Sequence, residues 1–121
     1  MELKEYQEKA MTTCMASSNN FSYMFLNLVG EVGELASKVA KHIRKEKAYI
    51  TENDLFTELC TLDDEEDLKK EAGDILWQLS GLCTVMGWSL EDVAQQNLDK
   101  LAARKAIGTI DGNGDGIVRG K

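Results

Sequence analysis

The stretch LKKEAGDILWQLSGLCTVM, residues 68–86, decides the fold. Leu68, Ala72, Ile75, Leu79, Leu82 and Met86 recur at steps of three and four, the signature of one face of an α-helix. Leu76, Trp77 and Val85 widen the apolar surface well beyond that stripe. A helix this apolar around its circumference is expected at the centre of a bundle or at a subunit contact. Gly87 stands where such a helix has to stop. Before it, the acidic run Asp63-Asp64-Glu65-Glu66-Asp67 falls ahead of or within the first turn, where the helix dipole favours negative charge. That run reads as capping and solvation.

Working outward, the neighbouring segments are also helical. Phe21, Phe25, Leu28, Val32, Leu35, Val39 and Ile43 alternate steps of four and three, which predicts a seam against another helix. The basic stretch Arg44–Lys47 suits its C-terminus. A shorter helix carries Leu3, Tyr6, Ala10, Met11 and Cys14, and it stops in Ser17-Ser18-Asn19-Asn20. Ser89 through Asp92 reads as a capping box with Trp88 and Val93 as its hydrophobic staple, opening a last helix that runs to about Lys105. Residues 48–66 are less periodic, and a short helix over Leu55, Phe56 and Leu59, started by Thr51 or Asn53, is expected there. The expectation is an all-α bundle of four to five helices over 1–107, followed by a separate glycine-rich tail over 108–121.

Composition narrows the possible partners. A chain of 121 residues fits one domain, and 43% hydrophobic with 29% charged residues is ordinary for a globular protein. Fourteen basic against 21 acidic residues give a net charge of −7, the wrong sign for a nucleic-acid polymer or an anionic membrane. An anionic ligand then needs a local basic cluster or a metal ion. Cys14, Cys60 and Cys83 form no CxxC pair, and with His42 as the one histidine there are too few soft ligands for zinc. Packed, reduced thiols, a polar N-terminus and no membrane-length apolar run point to a cytoplasmic protein.

Two carboxylate pairs carry the chemistry. Glu31 and Glu34 are three apart on one helix, and Glu71 and Asp74 are three apart on another, so each pair shares a helical face. At about 100° per residue, Glu31 and Glu34 lie about 60° and 120° to one side of the Leu28 stripe. Glu71 and Asp74 lie about 40° and 100° to the same-handed side of the Ile75 stripe. Antiparallel packing relates the two helices by a twofold normal to their plane, so same-handed flanks meet along one groove. Gathered acids repel one another and are costly to bury, but they suit a divalent cation. All-oxygen donors favour Mg²⁺ or Mn²⁺. A ferritin-like di-iron site is excluded, because it needs Glu-x-x-His and His42 has Val39 three residues before it.

Asn97, Lys100 and Arg104 share a polar face of the last helix, and Lys38 lies one turn beyond Glu34. Cations and an amide facing a carboxylate–metal cluster are what a polyphosphate requires. In the tail, Asp111-Gly112-Asn113-Gly114-Asp115-Gly116 starts like a calcium loop, but the bidentate glutamate of such a loop would fall past Lys121. It reads as a glycine-rich turn.

These motifs resemble those of the MazG-like nucleoside triphosphate pyrophosphohydrolases. Gly30-Glu31-Val32-Gly33-Glu34-Leu35 resembles the first acidic motif, and Glu71-Ala72-Gly73-Asp74-Ile75-Leu76-Trp77 the second. Asn97-Leu98-Asp99-Lys100-Leu101 with Arg104 is similar to the family's N-x-x-K-L…R segment, Tyr6-Gln7 fits its opening helix, and Gly108-Thr109-Ile110 resembles its ending. The resemblance implies an all-α homodimer or homotetramer that cleaves a nucleoside triphosphate to the monophosphate and pyrophosphate with Mg²⁺. It makes Glu31, Glu34, Glu71 and Asp74 metal ligands, with Glu34 and Glu71 assigned to the chemical step. Lys38, Asn97, Lys100 and Arg104 become substrate contacts. The competing reading is a helical oligomerisation or nucleotide-binding module without catalysis.

Overall fold

The structure, a computed structural model, describes residues 1–45 and 62–108. The short helix expected near Leu55 and the glycine-rich tail lie outside the described residues. Four α-helices follow one another: α1 (Leu3–Met11), α2 (Phe21–Arg44), α3 (Leu62–Val85) and α4 (Leu90–Ala106), with a 3₁₀ turn at Ala16–Ser18 between α1 and α2. The all-α expectation holds.

The helix boundaries follow local chemistry. Asn20, the last residue of the polar SSNN stretch, caps α2 by accepting a hydrogen bond from the Tyr23 amide at 2.8 Å. Lys41, His42 and Arg44 fill the last turn of α2, opposite in sign to the helix C-terminus. Gly87 takes φ 75°, the left-handed conformation that ends α3. Ser89 then caps α4 by accepting from the Asp92 amide at 3.2 Å, the first half of the expected capping box. A cap of this kind contributes about 1 kcal/mol.

α3 is the central helix, with α1, α2 and α4 all packed against it, which is why its apolar surface is so wide. α2 and α3 run antiparallel: Met24 meets Gly81, Asn27 bonds Gln78, and Lys38 bonds Asp67. Met24, Ser80 and Cys83 are fully enclosed. A Cβ built on Gly81 would stand 2.6 Å from Met24 Cε, so the smallest residue opposite the methionine is what admits its side chain. α1 is tied down by polar groups. Trp77 Nε1 donates to the Ala10 carbonyl at 3.1 Å and to Thr13 Oγ1 at 3.0 Å. Gln7 bridges the α3–α4 turn, donating to Thr84 Oγ1 and the Trp88 carbonyl and accepting from the Leu90 amide.

One expectation needs correction. Of the predicted α2 seam, Leu28, Leu35 and Val39 are half-buried, but Phe21, Phe25, Val32 and Ile43 are exposed. Met24, Asn27, Glu31 and Lys38 are among the residues that meet α3, so the contact face is turned towards one side of the stripe. The polar partners on α3 cause the turn: Gln78, Glu71 and Asp67 satisfy groups that an apolar seam would strand. A row of Phe21, Phe25, Val29 and Val32 is left on the outside of α2, with the Phe21 and Phe25 rings stacked at 5.6 Å.

Candidate metal and nucleotide site

The polar half of the α2–α3 contact forms the candidate site. Because the two helices are antiparallel, moving up α2 from Asn27 to Glu31 to Lys38 means moving down α3 from Gln78 to Asp74 to Asp67. Glu71 sits between the last two. The result is a strip of facing polar groups that opens beside the Met24 core.

Glu31, Glu71 and Asp74 each offer a carboxylate oxygen, and the three atoms lie within 4.8 Å of one another. Oxygens sharing one Mg²⁺ at about 2.1 Å stand about 3–4 Å apart, so modest side-chain rotation closes the gap. Glu71 is only 8% exposed. Its Oε2 accepts from Lys38 Nζ at 2.7 Å, while its Oε1 is buried with no hydrogen-bond partner. An uncompensated buried carboxylate oxygen is costly. Glu71 is thus one of three gathered acids and carries an unsatisfied buried oxygen, and the donor set and that orphaned atom both fit a hard divalent cation.

The charges of the cluster are felt by its members. Burial pushes the Glu31 carboxyl above the usual carboxylate range; the charges of Asp74, Glu71 and Glu34 add to the rise. A long 3.4 Å hydrogen bond from Asn27 opposes it, and Asn27 is itself held by Gln78 at 2.7 Å. Tyr6, on α1, is pushed up first by burial and then by the charge of Asp74, which places its ring at the edge of the same field. Lys38 is held well above the ordinary lysine value, chiefly by its bond to Glu71 and next by its 2.9 Å bond to Asp67.

The other candidate residues are distributed as follows. Glu34 is exposed on α2, outside the three-acid cluster, though its charge reaches Glu31. Asn97 and Lys100 are exposed on α4, where with Val93 and Gln96 they line a cleft of about 450 Å³. A second cleft of about 480 Å³, lined by Gly87, Trp88, Ser89 and Asp92, shares Val93 and Gln96 with the first. Arg104 is half-buried towards the end of α4. α4 packs on α1 and on α3, the helix that carries Glu71 and Asp74.

Sequence reasoning missed Asp67, Asn27 and Gln78. The acidic run 63–67 reads as capping and solvation, yet its Asp67 bonds Lys38 across the helix pair, and Asn27 lies outside the motif acids. Both were within reach of a simple extension: Asp67 is four residues before Glu71 and Asn27 four before Glu31, each on the same helical face as its motif acid.

Fold and site together define an all-helical protein with a carboxylate-lined cation site between two antiparallel helices. Residues 19–107 match the MazG nucleotide pyrophosphohydrolase domain, and the chain belongs to that family. The match takes in α2, α3 and α4. The family acts on nucleotides and generally depends on a divalent metal ion. The chain is also 37% identical over 99 residues to the protein named "Gene 37 protein" of Mycobacterium phage L5, an alignment covering 82% of this chain and 78% of that protein. No solved structure matches the chain. Among the described residues, no helix is long and apolar enough to cross a membrane.

Proposed function

We propose that the protein is a Mg²⁺-dependent enzyme, with Mn²⁺ as an alternative ion, that hydrolyses a nucleoside or deoxynucleoside triphosphate to the monophosphate and pyrophosphate, clearing unwanted nucleotides in the cytoplasm. The observation that carries this reading is the gathering of Glu31, Glu71 and Asp74 carboxylate oxygens within 4.8 Å of one another, with a buried, unpartnered Oε1 on Glu71, inside the span that matches the family.

Glu31, Glu71 and Asp74 would hold the ion, with Glu34 at the rim. When bound, the ion neutralises phosphate charge and makes the phosphorus a better electrophile. The protein's own groups do the rest. Glu71 is itself buried, which strengthens each charge interaction there. Asn27, fixed by Gln78, aims the Glu31 carboxylate. Glu34 accepts a proton from the attacking water on its carboxylate oxygen, since its exposure leaves it open to solvent. Asn97, Lys100 and Arg104 grip the nucleotide's phosphates, with Lys38 as a further cation beside the acids.

The protein works as a homodimer or homotetramer in this reading. The exposed row of Phe21, Phe25, Val29 and Val32 is an apolar face that a second copy covers.

The test is a panel of standard and modified triphosphates assayed for pyrophosphate and for orthophosphate, with and without Mg²⁺. Pyrophosphate release that needs the metal, and its loss in a folded Glu71→Gln variant, is the expected result. Retained turnover in that variant overturns the mechanism, and indifference to every nucleotide favours a non-catalytic module.

A further inference from the structure

Lys38 is held in a way that separates it from an ordinary surface lysine. Its ammonium lies 2.7 Å from Glu71 Oε2 and 2.9 Å from Asp67 Oδ1, and its side chain is 28% exposed. By contrast, the pairs Lys9–Glu5 and Lys69–Glu65 are exposed and lie within one turn of a single helix. Lys38 reaches from α2 across to α3 and engages the acid that the cation cluster also uses.

Glu71 would thereby be shared between the ammonium and a bound cation. One oxygen is bonded to the ammonium, the other is buried and unpartnered, and the carboxylate as a whole stands with Glu31 and Asp74 in the acid cluster. Asp67 holds the ammonium from the far side. A lysine so placed lowers the negative potential that a divalent ion would meet, and it draws on the electron density of one of that ion's own ligands.

Resting on the metal reading above, we propose that Lys38 is the built-in counter-cation of the acid site and competes with the divalent ion for Glu71, so that the nucleotide-free protein binds the ion weakly. Asp67 is the positioning residue that draws the ammonium towards the far end of the strip and so moderates this competition. The consequence is an ion loaded together with the triphosphate, whose added negative charge offsets Lys38.

Mn²⁺ titration of the full-length, nucleotide-free protein, followed by calorimetry or by the loss of the free-ion spin-resonance signal, tests this without reference to activity. A Lys38→Gln variant binds Mn²⁺ at least about tenfold more tightly than the natural protein, because removing one unit charge a few ångströms from a divalent ion matters even with strong water screening. Lys38→Arg, which keeps the charge, stays within about threefold. Asp67→Asn, which leaves Lys38 to lean wholly on Glu71, weakens Mn²⁺ binding by about threefold or more and serves where Lys38→Gln does not fold. Affinity that is unchanged or lower in Lys38→Gln, or unchanged in Asp67→Asn, overturns the proposal and makes the pair a simple helix clamp. Failure of the natural protein and every variant to bind Mn²⁺ overturns the metal reading itself, a result distinct from binding that ignores Lys38.

Discussion

Replacing Glu31 by glutamine tests the strain in the acid cluster directly. The carboxyl is half-buried, with oxygens of Glu71 and Asp74 no more than 4.8 Å away. Two like unit charges at 4.8 Å repel by about 3.5 kcal/mol at an effective dielectric near 20 and by about 0.9 kcal/mol in bulk water. Partial exposure of Glu31 and the ammonium on Glu71 both favour the lower figure, so Glu31→Gln is expected to stabilise the metal-free protein by about 1–2 kcal/mol. Glutamine keeps the size of the side chain and still offers an oxygen to Asn27. The readout is thermal and urea unfolding in EDTA at pH 7, with Tm rising by about 4–8 °C per kcal/mol.

The sign with pH follows from the direction of the shift. Glu31 binds its proton more tightly in the folded than in the unfolded chain, so protonation stabilises the natural protein as pH falls through the raised value towards the ordinary 4.5. The advantage of Glu31→Gln is therefore full at neutral pH and gone below that window. Saturating Mg²⁺ or Mn²⁺ inverts the order, since the natural protein gains about 2.7 kcal/mol at a hundredfold excess over Kd and the variant does not. A variant that is less stable than the natural protein in EDTA at pH 7 refutes the reasoning and makes Glu31 a stabilising partner.

Two further expectations concern the scaffold. Trp77→Phe removes both Nε1 hydrogen bonds, to the Ala10 carbonyl and to Thr13 Oγ1, while keeping an aromatic ring, and urea unfolding should show a loss of about 1–3 kcal/mol with an unchanged m-value. Val29→Lys places a charge in the exposed row of α2, where the side chain is 60% exposed within one chain. Sedimentation should show a shift to monomer with native helix content, and an assembly that survives the change rules out that face as the contact.

Much of the scaffold was legible because its signals are local. Gly87, Ser89 with Asp92, the SSNN stretch and the basic end of α2 act through backbone groups within a turn or two, and each marks a helix boundary where expected. The flank arithmetic for Glu31, Glu71 and Asp74 also needed only helix geometry and the assumption of antiparallel packing. The apolar stripe of α2 was less informative. Periodicity counts the apolar surface that a helix has to cover, but it does not say whether its own chain or another copy covers it. Phe21, Phe25 and Val32 satisfy the pattern and still stand outside.

Sequence alone therefore determined the all-helical class, the boundaries at Asn20, Gly87 and Ser89, and the shared faces of the acid pairs, since spacing of three and four residues fixes direction around a helix whatever lies opposite. Register between α2 and α3 was decided only in three dimensions. A slip of one turn moves every facing pair by about 5 Å, and it was the fit of Met24 against Gly81, with Asn27 on Gln78, that brought Glu71 under Lys38 and left its second oxygen bare. Local spacing carries no information about which residue on a distant segment completes a contact; packing volume and hydrogen-bond satisfaction do.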